Sequence, residues 1–237
     1  GIWRDSRVDV CLYRSVLTLA SDDLAAVLPC LELIELEKKH VVIEPNEPIE
    51  HVYFPETCVF SLMAVSKDGH PIEVGMFGFE GVSDLVTQYG DTTPMRSMVQ
   101  VRGATWRMTA QDFAKALRTV PSLNGVVLRY KEALAIQFAY TALAHGTFTI
   151  EERLARWLLM SHDRTQRGNM PIVHEFIASM LAVRRSGVTT AIHILEGAGA
   201  IRASRGTIVI RDRDKLIEIA NGSYGVPERE YERLLRN

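Results

Sequence analysis

The sequence predicts an α+β chain in three parts: an N-terminal antiparallel β-roll, one long helix, and a C-terminal helix pair followed by a β-hairpin. Three observations carry this. Short β-rich runs separated by turn residues fill 33–108, and an apolar stretch runs from Pro121 to His145 with a helical period. The stretch "HEFIASMLAVRRSGVTTAIHIL" divides into two helical patterns around a tight turn, with "AIRASRGTIVIRD" directly behind it. The parts divide at 1–120, 121–148 and 149–237.

The 237 residues are 47% hydrophobic, which is enough to bury more than one core. The formal net charge of −2 hides an uneven distribution. Between Pro171 and Arg211 stand Arg184, Arg185, Arg202, Arg205 and Arg211 against only Glu175 and Glu196, whereas the stretch from Glu32 to Glu56 holds seven glutamates. The first region suits a polyanion and the second would repel one. Apolar runs break well before the roughly 18 residues of a membrane span, and the first residues lack a signal-type apolar core, so the expected location is cytoplasmic with no membrane partner. Cys11, Cys30 and Cys58 are odd in number and far apart, which fits buried free thiols better than disulfides or a C-x-x-C metal knuckle.

In chain order, "SDDLAAVLPCLEL" reads as a helical lead-in with Ser21 as its N-cap. The runs "HVVI", "HVYF", "CVFSLMAV", "PIEVGMF" and "SMVQVRGATWRM" then alternate with turn chemistry, and Asp68-Gly69 marks a hairpin. Isolated acids in this region, Glu73 and Asp84, read as solvated or turn residues. Pro121 suits the first turn of the long helix. Along it, Leu123, Val127, Tyr130, Leu134, Phe138 and Thr141 repeat at three or four residues, the stripe of a helix packed along another helix. Val126, Ala133, Ile136 and Ala139 make a second face apolar. A helix about 36 Å long with two faces to bury is read as a homodimer seam on the first stripe; the alternative is a central helix within one subunit. Gly146 is expected to break it. Thr149 and Glu152 have capping-box spacing at the head of "TIEERLARWLLMSHDR", and "TQRGNMP" reads as a loop.

The second helix of the pair poses a physical puzzle. A helix N-terminus carries the positive end of the macrodipole, where cations cost about 0.3–1 kcal/mol each, yet Arg184 and Arg185 stand there. At about 100° per residue, Val188, Ala191, Ile192 and Leu195 share an inward arc. Ser186, Thr190 and His193 then face outward, with Arg185 and Thr189 beside them. This is the pattern of a major-groove reader, since arginine can donate twice to guanine and Ser or Thr can reach bases or phosphates. One good bidentate contact discriminates by about 1–3 kcal/mol, more than the dipole penalty. In the hairpin, Ile201, Ile208 and Ile210 point inward. Arg202 and Arg205, with Ser204 at the turn, are available to a phosphate backbone. Helix pair, arginine pair and basic hairpin together form a winged helix-turn-helix signature; the alternative is a solvated helix with incidental arginines.

Roll, long helix and winged helix-turn-helix in this order resemble the bacterial Crp/Fnr family of transcription regulators. The resemblance covers nearly the whole chain and is strongest in "EERLARWLLMSHDR", in the helix pair with its wing, and in "EPNEPIEHVYFPETCVFSL" of the roll. It implies a cyclic-nucleotide-binding-like roll, double-stranded DNA as partner, a homodimer on an inverted-repeat operator, and contact with RNA polymerase. Arg185, Ser186 and Thr190 would be base readers, and Val173 to Leu181 the helix that crosses the DNA backbone. Family members that bind cyclic nucleotides hold the phosphate with a Gly-Glu segment and a later Arg-Ser pair. Arg96 and Ser97 supply that pair here, but Gly81 is followed by Val82 rather than glutamate. Phe138 and Ala139 stand where cyclic-AMP responders present polar groups, so the residues argue against cyclic AMP and leave the cofactor unknown. An effector site would comprise Gly81, Val82, Arg96, Ser97 and Phe138. Cys11 and Cys30 do not form an iron–sulfur cluster motif, and His40, His51 and His70 lack the close pairing of metal ligands.

Two other functions compete. An enzyme on a β-roll would need a catalytic constellation, and the sequence contains no G-x-S-x-G, no H-E-x-x-H and no phosphate-cradling glycine loop. A ligand-binding subunit that acts through a protein partner would need no basic wing. Neither catalytic nor metal residues are assigned. The tail is expected to form helices around Leu216 to Ala220 and after Pro227, the latter packing on the winged domain or contacting a partner.

Overall fold

The computed structural model describes residues 21–83, 90–165, 169–171, 174–204 and 206–235, so Cys11 and Val173 lie outside the described residues. Helix α1 (Ser21–Val27) and a 3₁₀ turn (Leu28–Cys30) lead into strands β1 (Glu32–Leu36), β2 (Val41–Ile43), β3 (His51–Pro55), β4 (Val59–Val65), β5 (Pro71–Phe77), β6 (Met95–Val101) and β7 (Gly103–Thr109). The expected lead-in helix is therefore shorter than its apolar pattern, because Glu32–Leu36 pairs with β7 as a strand. Two antiparallel sheets result, in orders β1-β7-β3 and β2-β6-β4-β5. The hairpin at Asp68-Gly69 forms as expected: Gly69 has φ +80°, and Val65 pairs with Pro71 across it.

Between the sheets lie Val52, Phe54, Phe60, Phe77, Val99 and Met108, with the Phe60 and Phe77 rings stacked at 5.0 Å. Helix α2 (Ala110–Thr119) closes one end. Thr109 caps it through Asp112 N, and Phe113 meets Phe54 edge-on at 5.7 Å.

Helix α3 (Pro121–Thr147) runs through Gly146, and the chain turns extended only at Phe148. A lone glycine costs about 1 kcal/mol in a helix, too little to end one this long. The stripe read as a dimer seam is already used within the subunit. Leu123, Val127, Tyr130 and Leu134 belong to the roll core, and Thr141 is buried. Gly75 on β5 permits this approach, since a Cβ there would lie 2.7 Å from the Phe138 ring. Exposed along α3 are instead Leu128, Glu132, Ala135, Ala139, Ala142, Leu143 and Gly146.

Helix α4 (Ile150–Arg164) opens with the expected capping box of Thr149 and Glu152. Strand β8 (Asn169–Pro171) lies in the segment read as a loop, and it pairs with the wing. Helices α5 (His174–Leu181) and α6 (Arg185–Gly197) follow, joined through Ala182 at φ +51°. Strands β9 (Ile201–Ser204) and β10 (Thr207–Ile210) then complete a sheet of order β8-β10-β9. Ile177, Val188, Leu195, Ile201 and Ile208 form the second core with Leu154 and Leu158 of α4.

Helix α7 (Arg213–Ile219) packs on α4, and the last helix, α8 (Val226–Leu235), packs on α3 rather than on the winged unit. Tyr231 joins the roll core, and its hydroxyl donates to Glu80 O at 2.5 Å. Roll and winged unit are in turn locked together by a buried Arg164–Glu80 ion pair at 2.5 Å, and Met63 and Met76 of the roll sit in the second core.

Candidate nucleic-acid interface

Helix α6 buries Val188, Ala191, Ile192 and Leu195 and exposes Arg184, Arg185, Ser186, Thr190 and His193. Arg184 is its N-cap residue, in extended geometry and without a capping side-chain hydrogen bond, and the first turn contains no acid. The leading N–H groups and the positive dipole end therefore face outward between two exposed guanidiniums, an arrangement that favours an anion. Arg185 approaches Glu175 only at 3.9 Å, with both side chains mostly exposed. Such a contact is worth little and leaves Arg185 available to a ligand.

Thr190 donates back to Ser186 O at 3.1 Å, which fixes its rotamer and turns its methyl and remaining lone pair outward. Thr189 is half-buried: it donates to Arg185 O and lies 3.1 Å from Nδ1 of His174 on α5. With the hydroxyl proton on Arg185 O, the histidine nitrogen donates to Thr189, so this threonine braces the helix pair more than it reads an outside surface.

The wing stands beside α6. Ala203 N donates to Glu196 Oε1 at 2.7 Å, which pins β9 to the last turns of α6. Arg202 and Ser204 are exposed, Gly206 makes the turn at φ +79°, and Arg205 lies outside the described residues. His174, His193, Ser204 and Thr207 line the cleft between α6 and the wing. Sequence reasoning missed His174; its position as first residue of the first helix of the pair was the available signal.

Of the five effector candidates, Gly81, Val82, Arg96 and Phe138 are taken up by protein contacts, whereas the buried Ser97 hydroxyl has no hydrogen-bond partner. Arg96 Nη2 pairs with Glu44 at 2.8 Å, while its neighbour Ser97 is buried on the opposite face of β6. Gly81 lies beneath Tyr130, where a Cβ would come within 2.6 Å of the hydroxyl, and Val82 is fully buried. Phe138 packs over Gly75. Segment 84–89, which contains Asp84, lies outside the described residues. Glu73 is neither solvated nor in a turn: it is buried on β5 and accepts from Trp157 Nε1 at 2.7 Å. Burial pushes its carboxyl up to about 7, against the pull of Ser61, Trp157, Arg156 and Arg164. Cys58 is a buried thiol, pushed up to about 12 by desolvation and so inert, and it donates to Gly103 O, whereas Cys30, at the end of the 3₁₀ turn, is exposed rather than buried as expected.

Residues 152–219 match the family model described as a Crp-like helix-turn-helix domain. FixK2 from Bradyrhizobium japonicum is similar in structure, with a TM-score of 0.68 and 19% identity over 80% of this chain and 96% of that one. This chain has the Crp/Fnr fold and carries a Crp-like helix-turn-helix domain. The same Crp/Fnr fold is found in a Crp/Fnr-family transcriptional regulator from Thermus thermophilus, with a TM-score of 0.64 and 16% identity over 81% of this chain and all of that one. It also aligns with CLP of Xanthomonas campestris, a c-di-GMP-responsive global regulator, with a TM-score of 0.64 and 14% identity over 81% of this chain and 99% of that one. No curated protein sequence matches the chain. Among the described residues no helix is long and apolar enough to cross a membrane.

Proposed function

We propose that this chain is a sequence-specific DNA-binding transcriptional regulator that acts as a homodimer on an inverted-repeat operator. The carrying observation is the uncapped start of α6, flanked by exposed Arg184 and Arg185 and followed by an outward face of Ser186, Thr190 and His193. Arg185 and Ser186 read base edges in the major groove, and Arg202, Ser204 and Arg205 hold the backbone from the wing. Of the solved structures it resembles, the Thermus thermophilus protein is named as a transcriptional regulator and CLP as a global regulator, which favours this reading over a β-roll enzyme.

Dimerisation uses the face of α3 that the subunit leaves open. Leu128, Glu132, Ala135, Ala139, Ala142 and Gly146 repeat at alternating four and three residues, and the small side chains from Ala135 to Gly146 let two helices approach closely. Two readers so related by a two-fold axis meet half-sites about one helical turn apart. A small effector bound at the roll and RNA polymerase are the other partners of this reading. The filled sites at Gly81, Val82 and Phe138 speak against cyclic AMP.

Selection of random duplex DNA on the purified protein, followed by affinity measurements at two salt concentrations, tests the proposal. An enriched inverted repeat whose affinity falls steeply with salt is expected. Enrichment of no sequence, with affinity indifferent to salt, would overturn it.

A further inference from the structure

Where roll, long helix and winged unit meet, the chain encloses a cavity of ≈ 20 Å³, lined by Glu73 of β5, Thr141 and His145 of α3, Arg153, Arg156 and Trp157 of α4, and Met180 of α5. This space fits about one water molecule. Its chemistry is unlike that of a packed core. Glu73 Oε1 accepts from Trp157, but Oε2 is buried and has no hydrogen-bond partner. Arg156 is also buried; it donates to Ser223 O at 3.0 Å and Thr141 Oγ1 at 3.1 Å, and among the described residues it has no carboxylate within ion-pair distance. A buried carboxylate oxygen left unpaired is costly, and the larger share of that cost, the desolvated charge, is removed when the oxygen is protonated.

We propose that Glu73 is a proton-operated latch: protonation of its unpartnered oxygen favours the docked arrangement of roll and winged unit, and ionisation loosens it. The groups that face it leave Glu73 as the moving part. From β4, the Ser61 hydroxyl donates to Gln100 Oε1 at 3.1 Å; it lies near enough to pull the Glu73 carboxyl down but leaves Oε2 without a hydrogen bond. From α3, His145 is held neutral by burial and by Arg153, its own value near 4. From α4, Arg153, Arg156 and Arg164 stay charged, with Arg164 paired to Glu80 and Glu228 acting on Arg156 from α8. From α5, Met180 and Leu181 carry no charge, and Leu181 O accepts from Arg153.

The sign follows from linkage. The docked carboxyl titrates near 7 and an undocked, solvated one near 4.5. Docking is therefore fully favoured at low pH and loses that advantage as pH rises toward and through 7. Between pH 6 and pH 8 the docked-to-undocked ratio falls by about tenfold.

Trp157 reports on the latch directly, because its indole N–H is bonded to the titrating group. The test uses the full chain without DNA. Tryptophan emission is followed from pH 5 to pH 9 in the parent, in Glu73→Gln, and in Trp157→Phe to identify that residue's share. The expected result is a Trp157-dependent transition near pH 7 that Glu73→Gln abolishes. Identical pH profiles in the parent and Glu73→Gln would overturn the latch. Should Glu73→Gln fail to fold, infrared difference spectra of the parent decide: a protonated carboxyl that disappears near pH 7 supports the latch, and none in that range refutes it. Coupling to DNA rests on the function proposed above and has its own arm. The docked form exposes α6, so operator affinity in the parent is expected to fall by up to tenfold from pH 6 to pH 8 relative to Glu73→Gln. A transition in emission without that difference would sink the coupling alone, and absence of DNA binding would sink the regulator reading while leaving the optical result intact.

Discussion

Arg185 and Arg202 look alike in composition but are predicted to fail differently. Arg185 stands at the open end of the helix proposed to read base edges, so Arg185→Ala should remove about 1–3 kcal/mol of discrimination at one operator position. Competition between the selected site and single-base variants measures this; unchanged discrimination at every position would refute the role. Arg202 is exposed on β9, in the hairpin that follows α6 and is proposed to hold the backbone. Arg202→Ala should weaken all duplexes alike and reduce the salt slope by about one, which titrations at several salt concentrations check. Arg185, with Arg184 before it, was legible in the sequence because charges at an unfavourable dipole end need no tertiary context to look anomalous. Glu73 was not legible. One acid between apolar neighbours on a strand looks the same whether its face meets water or another module, and only the docking of α4 decides.

At the scale of elements, α3 shows the same limit. Its periodicity revealed two apolar faces, but period alone does not say which face the subunit keeps. The larger side chains, Leu123, Tyr130 and Leu134, went to the roll because they bury more area there, and the alanine-rich face was left outside. The double variant Leu128→Asp with Leu143→Asp should therefore dissociate a dimer while each subunit stays folded, as sedimentation and far-UV dichroism would show. Leu134→Asp should instead unfold the subunit, since it places a charge inside the roll core. The same monomer–dimer balance in the double variant as in the parent would remove α3 as the seam. The tail was legible as helices but not in destination, because Tyr231 finds its partner, Glu80 O, far away along the chain. Tyr231→Phe keeps the ring and loses that bond, and chemical denaturation should register a cost of about 1 kcal/mol.

For the whole molecule, the buried titratable groups combine into one stability profile. Glu73 titrates near 7 and Asp163 near 6, both raised by burial, the latter despite Arg213 and Tyr224. Each binds a proton more tightly in the folded chain than in the unfolded one, so each adds stability at low pH that is lost as pH rises through its folded value. His145, held near 4, acts in the opposite sense: its contribution is complete above the ordinary histidine value of 6.5 and fades as pH falls toward 4. Between pH 8 and pH 6 the two acids outweigh the one histidine, whose share is smaller still because it is only half-buried and partly screened by solvent. The folded chain should consequently be more stable at pH 6 than at pH 8, by about 1 kcal/mol. Urea unfolding at the two pH values, at constant ionic strength, measures it. Greater stability at pH 8 would mean that the two acids are solvated in the native molecule and, for Glu73, that roll and winged unit do not rest against each other as described.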